Sequence, residues 1–476
     1  MNLAPEGLNK TQILQKLNAF RKDDVNYKDG KLFSYVYYPG EEGEDILKTA
    51  YAEFITENGI DPTAFPSLKK MENEVIGFCK NLLKADHSAV GHLTTGGTES
   101  LLLAVKIARD RAKDLHPEIT EPEIILPYTV HSSFFKACAY FNVKPVVVPV
   151  RDDYRADAAA IEAAITKNTV MIAASAPSYA YGVVDPISAI GAIALKHNLP
   201  FHVDGCIGAF FLSYMERAGL KVPEFSFSVP GVTSISMDLH KYAYAGKGCS
   251  VLLLRDESFR KYQYFVCPEW TGYTIINPTI LSSKTGGPIA GAWAMLNYFG
   301  EKGYQRLALQ TMQCTEILKK EISSMDGLRI VGAPDMSLIS FVSDKYNIYS
   351  INDELNKLGW KVQFQLASDV APANIHLTIS KPHIGKEAEF IRDLKIAIQK
   401  SEETRLPDVK QILNEELSKG LNAENINKVL GRLGAAEGNL PENMASVNQM
   451  LELLPNQVVK ELLFNFVSNL YKSTPQ

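Results

Sequence analysis

The chain has 476 residues, enough for one large core and a smaller lobe. Apolar residues make up 46% and charged residues 22%, and 49 Lys and Arg against 54 Asp and Glu leave a net charge of −5. This balance argues against a nucleic-acid binder. No apolar run is long enough to predict a membrane span, and Met1–Lys10 lacks the apolar core of a signal peptide.

Taken in chain order, residues 1–60 read as a polar N-terminal arm with helices near Thr11–Phe20 and Glu44–Asn58. Residues 61–300 read as a large domain, opening on a helix over Leu68–Leu83. From about Gly91 short apolar runs follow at Glu123–Leu126, Lys144–Val150, Val170–Ala174, Pro200–Val203, Val232–Ser236 and Ser250–Leu254. Amphipathic stretches over Glu99–Ala112, Ser132–Phe141, Ala156–Ile165 and Ile187–His197 lie between them. Strands alternating with helices of that length predict an α/β fold, a mostly parallel sheet with helices on both faces. A long helix over Gly287–Ser324 leads into residues 301–401, a smaller α/β lobe with strands at Leu328–Val331, Ser337–Val342, Trp360–Gln365 and Asn374–Ile379. Its helices fall at Ile351–Leu358 and Ile384–Gln399. Residues 402–476 read as a helical extension broken at Gly431, Gly438 and Pro441.

The six cysteines lie far apart and form no C-x-x-C pair, which predicts neither a disulfide framework nor a metal site. Reduced thiols place the chain in the cytoplasm.

Four short segments carry chemistry. The first is Asp238-Leu239-His240-Lys241, just past a strand. Ligands of open α/β sheets sit beyond the carboxyl ends of the strands, and a lysine there can form a Schiff base with an aldehyde cofactor if its environment frees the amine. The second is Phe201-His202-Val203-Asp204, a strand ending in a carboxylate that can pair with a protonated pyridine nitrogen. In the third, Thr94–Ser100, Gly96 and Gly97 admit an anion, Thr98 offers a hydroxyl, and the following helix presents its N-terminus. The fourth, Tyr128–Ser133, places His131 where an imidazole can lie on an aromatic ring. Each alone is ordinary: a surface lysine, a strand-end cap, a helix start, a loop histidine. Their order makes a set: phosphate cradle, stacking ring, pyridinium partner, Schiff-base lysine.

With these residues in place the sequence resembles the sphingosine-1-phosphate lyases of the pyridoxal-dependent decarboxylase family. The resemblance rests on Phe65–Glu74, Thr94–Ser100, Gly182–Pro186, His202–Phe210 and Gly231–Ser250, and spans about Gly30 to Lys400. It implies a fold-type-I enzyme that breaks a bond to carbon on an amine or amino-acid substrate, with pyridoxal 5'-phosphate attached at Lys241. Asp204 would pair with the ring nitrogen and His131 would stack on the ring. Gly96, Gly97, Thr98 and His240 would hold the phosphate. The resemblance also implies a homodimer with shared sites, in which Gly286 and Gly287 reach a neighbour's phosphate. Tyr37, Asn58 and Lys247 match positions on the substrate side. The reaction is either retro-aldol cleavage or, as the alternative, decarboxylation of a non-phosphorylated amino acid.

The substrate side departs from the lyase pattern. Asp61 falls where the lyases carry a histidine, Tyr179-Ala180-Tyr181 replaces Phe-Pro-His, and Lys284 replaces an arginine. Two like charges about 4 Å apart repel by roughly 4 kcal/mol at an effective dielectric near 20. An ionised Asp61 facing the pocket therefore predicts weak action on a phosphorylated substrate.

Overall fold

The six short apolar runs and one further segment, Val90–Thr94, become the strands of one sheet: β1 (Val90–Thr94), β2 (Glu123–Pro127), β3 (Lys144–Val148), β4 (Thr169–Ser175), β5 (Phe201–Asp204), β6 (Ser234–Asp238) and β7 (Ser250–Leu254). The computed structural model describes residues 3, 5–403, 406–417, 423–433 and 443–472. The sheet order is β1-β7-β6-β5-β4-β2-β3. Neighbours from β6 to β3 are parallel, and β7 runs antiparallel to both β6 and β1. The central strands are buried along their whole length, as a sheet covered on both faces requires.

The helices before and between these strands are α1 (Lys10–Phe20), α2 (Glu41–Glu53), α3 (Pro66–Leu82), α4 (Gly97–Leu115), α5 (Ser133–Phe141), α6 (Ala158–Ala163), α7 (Ile187–Lys196) and α8 (Ala209–Arg217). The α3 helix starts on Pro66, whose fixed φ and missing N–H suit the first helical position. After β7 come α9 (Glu257–Arg260), a hairpin of β8 (Phe265–Cys267) and β9 (Ile275–Asn277), and α10 (Gly286–Ser323).

Several sequence expectations shift. The β6 strand begins two residues later than expected and ends on Asp238, so Lys241 follows its end closely. The β1 strand, α8 and the hairpin had no counterpart in the apolar pattern. The α10 helix is not continuous: Gly300, with φ 58° and ψ −178°, breaks it, a conformation that only glycine adopts easily.

Next come β10 (Leu328–Ile330), β11 (Leu338–Ser343), α11 (Ile348–Lys357), β12 (Gln363–Gln365), β13 (Asn374–Thr378) and α12 (Glu387–Glu403). The second sheet has the order β10-β11-β13-β12. The tail adds α13 (Val409–Leu417), α14 (Ala423–Arg432), α15 (Ala445–Leu453) and α16 (Asn456–Leu470). Gly431 lies inside α14 rather than breaking it, and Gly438 and Pro441 fall outside the described residues.

Contacts group the chain into two units. The larger, Phe33–Phe341 with His376–Glu387, contains the seven-stranded sheet and its core. The other takes in residues up to Leu32, Val342–Ile375 and those from Ala388 onward. Within it the tail helices bury their own cluster around Val409, Leu413, Val429, Val447 and Met450. Asp353 caps α15 by accepting the Met444 and Ala445 N–H groups at 3.1 and 2.8 Å.

Candidate active site

A cavity of about 460 Å³ opens where β1, β5 and β6 end, beside the loop that follows β2. Thr95–Glu99, His131, Asp204, Asp238, His240 and Lys241 line it.

Strand register builds its floor. In the parallel pair of β5 and β6, His202 faces Ser234 and Asp204 faces Ser236. Alternate residues share a face, so these four side chains form one patch. Ser234 Oγ lies 2.8 Å from His202 Nδ1 and Ser236 Oγ lies 3.3 Å from Nε2. Burial pulls the His202 imidazolium down to about 4, so the ring is neutral. Ser236 Oγ donates to Asp204 Oδ1 at 3.3 Å, and the Cys206 N–H donates to the same oxygen at 3.0 Å. Both known partners sit on Oδ1, fixing the orientation of a buried carboxylate at the cavity wall.

Lys241 Nζ lies 3.0 Å from Asp238 Oδ2. Burial acts to lower the lysine's pKa, but the Asp238 carboxylate outweighs it, and the ammonium form is stabilised overall. A Schiff base at Lys241 therefore requires that this ammonium give up a proton. Asp238 is itself buried, and its Oδ1 has no hydrogen-bond partner. His240 Nε2 stands 3.5 Å from Asp238 Oδ2, while its Nδ1 accepts the Cys249 N–H at 3.3 Å.

Opposite this pair lies the glycine-rich start of α4. Gly96 takes φ 145°, and a methyl group added at Gly97 would stand 2.8 Å from Asp238 Oδ2 and from Cys206 Sγ. A side chain at Gly97 would push Asp238 or Cys206 out of place. Thr98 Oγ1 and Ser133 Oγ are 2.9 Å apart, and Ser133 Oγ is 3.0 Å from His131 Nδ1. The cradle and the histidine loop are thus joined. Glu99 is a residue the sequence reading passed over. Its Oε2 accepts from Thr95 N–H at 2.6 Å and Oγ1 at 2.7 Å, and its Oε1 from the Ile280 N–H at 2.5 Å. It ties the cradle to the segment whose Ile280 and Leu281 close the cavity. Its three-residue distance from Gly96 was the available signal.

A family model described as the pyridoxal-dependent decarboxylase conserved domain matches residues 6–344. A second, described as "Pyridoxal-dependent enzyme, C-terminal putative HTH domain", matches 407–469. The chain is 37% identical to sphingosine-1-phosphate lyase of Dictyostelium discoideum, over 83% of this chain and 73% of the relative. It is 37% identical to sphingosine-1-phosphate lyase 1 of Rattus norvegicus, over 83% and 69%. Among solved structures, the sphingosine-1-phosphate lyase of Burkholderia pseudomallei matches with a TM-score of 0.80 and 32% identity, covering 89% of this chain and 97% of that one.

The chain belongs to the pyridoxal-dependent decarboxylase family. It is a pyridoxal-phosphate-dependent lyase of fold type I. The cavity fits the cofactor on its own chemistry: a glycine cradle at a helix N-terminus, a lysine, a fixed strand-end carboxylate, and an unpartnered buried oxygen on Asp238.

The family's substrate-side positions are less uniform in this chain. Lys247 Nζ lies 5.1 Å above the Tyr37 ring and 3.4 Å from the His240 carbonyl. Its side chain reaches solvent, yet the protein packed around the ammonium and the Lys241 charge pull it down to about 8. Tyr37 also packs edge-on against Tyr242, and burial raises its phenol well above the usual range.

Asn58 and Asp61 make backbone turns. Asn58 Oδ1 accepts from Ile60 N–H at 3.1 Å and Lys284 N–H at 2.9 Å. Asp61 does not face the cavity, which corrects the sequence expectation. It is exposed, and its Oδ1 accepts from Thr63 N–H at 2.8 Å, Thr63 Oγ1 at 2.6 Å and Ala64 N–H at 3.3 Å. A short polar side chain before a helix makes this turn locally, whatever an aligned relative carries there. Lys284 is committed to Glu72, whose carboxyl is drawn down to about 2; burial opposes that shift, and His92 and Lys284 overcome it. Gly286 and Gly287 are buried against α2 and do not line this chain's cavity. A methyl at Gly286 would meet the Phe54 carbonyl at 2.6 Å, and one at Gly287 the Tyr51 ring at 2.7 Å.

Proposed function

We propose that the enzyme cleaves the carbon–carbon bond beside the amine of a phosphorylated long-chain amino alcohol, the sphingosine 1-phosphate class, releasing an aldehyde. The reading is carried by 37% identity, across 83% of the chain, to relatives named as lyases of that substrate. When bound, pyridoxal phosphate supplies the electron sink for the pair left by the breaking bond.

The chain's own residues divide the remaining work. Lys241 supplies the attaching amine. Asp204, oriented by Cys206 and Ser236, is the carboxylate that would pair with the cofactor's ring nitrogen. Gly96, Gly97 and Thr98 offer backbone and hydroxyl donors at the α4 N-terminus, and His240 stands beside them. His131, held by Ser133, offers a flat imidazole. Retro-aldol cleavage begins by removing the proton of the hydroxyl next to the scissile bond. Lys247 is the base we assign, because its amine form is populated as pH rises through about 8. Tyr37 lies under the same ammonium and would help position it.

The second reading, decarboxylation of an amino acid, draws support from Lys284: it replaces the lyases' arginine and is paired with Glu72. Incubating the purified enzyme with sphingosine 1-phosphate and with amino acids separates the two. Long-chain aldehyde is expected; carbon dioxide without aldehyde would overturn the proposal.

We further propose a homodimer in which the Ser283–Gly287 segment serves a neighbour's site. Exposed Phe265, Val266, Trp270, Tyr273 and Ile276 around the β8–β9 hairpin support an interface there. A cytoplasmic location is supported by six free cysteines, and no described helix is long and apolar enough to cross a membrane. For the region 407–469, five Lys and Arg against eight Asp and Glu argue against contact with a nucleic-acid backbone.

A further inference from the structure

Lys241 meets its cofactor as an ammonium, and an ammonium has no lone pair with which to attack an aldehyde. Its proton must go somewhere before the carbon–nitrogen bond can form. We propose that Asp238 is the proton acceptor for Lys241: it takes the ammonium proton as the cofactor loads and keeps it while the cofactor phosphate is bound. This rests on Lys241 being the attachment lysine.

The first support is geometric. Asp238 Oδ2 is 3.0 Å from Nζ, and among the described residues it is the carboxylate in ion-pair contact with this lysine. The other polar groups around the pair have different duties. His240 Nδ1 accepts the Cys249 N–H, so the proton of its neutral ring sits on Nε2, facing Asp238 as a donor. The Cys206 thiol is kept protonated by burial and donates to Ser236 Oγ at 3.1 Å. Asp204 is held through Oδ1 by Cys206 N–H and Ser236. Below about pH 8 Lys247 is mainly a second cation, and burial keeps the Tyr37 phenol protonated.

The second support is where the proton would rest. Asp238 is buried, and Oδ1 has no partner. A methyl group on Gly97 would stand 2.8 and 2.9 Å from the two carboxylate oxygens, so the carboxyl lies against the cradle that receives the phosphate. An ionised carboxylate there repels a phosphate. A neutral carboxyl has an O–H to offer it instead. One transfer therefore solves both problems. The proton passes from Nζ to Oδ2. The freed lone pair forms the bond to the aldehyde carbon, and the carbon–oxygen bond breaks as the aldehyde oxygen takes the two protons left on Nζ and leaves as water.

The test is cofactor loading rather than turnover. Full-length enzyme is stripped of cofactor, pyridoxal phosphate is added, and the visible absorbance is followed across the neutral pH range. With an internal acceptor, the wild-type rate is expected to be level with pH. In Asp238→Asn the proton must go to solvent, and burial, no longer opposed by the carboxylate, lowers the lysine's pKa, so below that pKa the rate should rise by up to about tenfold per pH unit instead of staying level. Asp238→Asn loading at the wild-type rate with a level profile would overturn the proposal. A second measurement needs only the wild type, should the variant not fold. The infrared difference between loaded and cofactor-free enzyme should show a protonated-carboxyl stretch. Asp238→Glu should shift that band, and its absence from the wild type would also overturn the proposal. Lys241→Ala separates the two levels. If that variant still forms the wild-type visible band, the attachment reading fails, whatever Asp238 does.

Discussion

The cofactor side and the substrate side of this enzyme are built by different means. On the cofactor side, Asp204, Asp238 and Lys241 stand at the ends of adjacent buried strands, and strand register sets which groups meet: His202 with Ser234, Asp204 with Ser236. On the substrate side, Asn58, Asp61 and Lys284 sit in loops, and each is occupied with a partner away from the cavity. A residue aligned at a strand end inherits its place from the sheet. A residue aligned in a loop inherits only a position in sequence, and Asp61 shows the difference: it closes its own turn.

This contrast can be broken by substitution, beginning with the largest effect. Lys241→Ala should eliminate turnover and the visible cofactor absorbance, which purified variant and a spectrum will show. Asp204→Asn should lower kcat by more than about tenfold, roughly 1.4 kcal/mol of barrier, while changing cofactor affinity less. Steady-state kinetics beside cofactor titration read the split. Gly97→Ala puts a methyl 2.8 Å from Asp238 and Cys206 and should weaken cofactor binding by about tenfold, measurable by equilibrium titration.

The substrate side should respond more gently and differently. Lys247 has a pKa lowered to about 8, and its base form grows as pH rises through that value. The pH–kcat profile should therefore carry a rising limb near 8 that Lys247→Met removes. Asp61→His should change kcat/KM by less than about twofold, but cost about 1 kcal/mol of stability through the lost turn, read by denaturant unfolding. A large gain on a phosphorylated substrate would return Asp61 to the pocket and dissolve the contrast.

Legibility followed the same division. Apolar runs of strand length and the Gly-Gly helix start are local signals, so the parallel sheet and the cradle were readable from the sequence. Asp238 lay in the motif but was passed over, because its burial and its contact with Lys241 depend on β6 ending at that residue. Glu99 was missed because its role depends on Ile280, far along the chain. The α10 break was missed because one glycine in a helical pattern does not announce a φ of 58°. Side-chain commitments such as Lys284 to Glu72 are tertiary, and composition carries no trace of them.

On the proposed reading, the strand-end cavity holds the cofactor through Lys241. Borohydride reduction of the loaded enzyme followed by peptide mass analysis tests it most directly. The cofactor mass should be found on the peptide containing Lys241. Labelling of a different lysine, or no labelled peptide, would contradict the account.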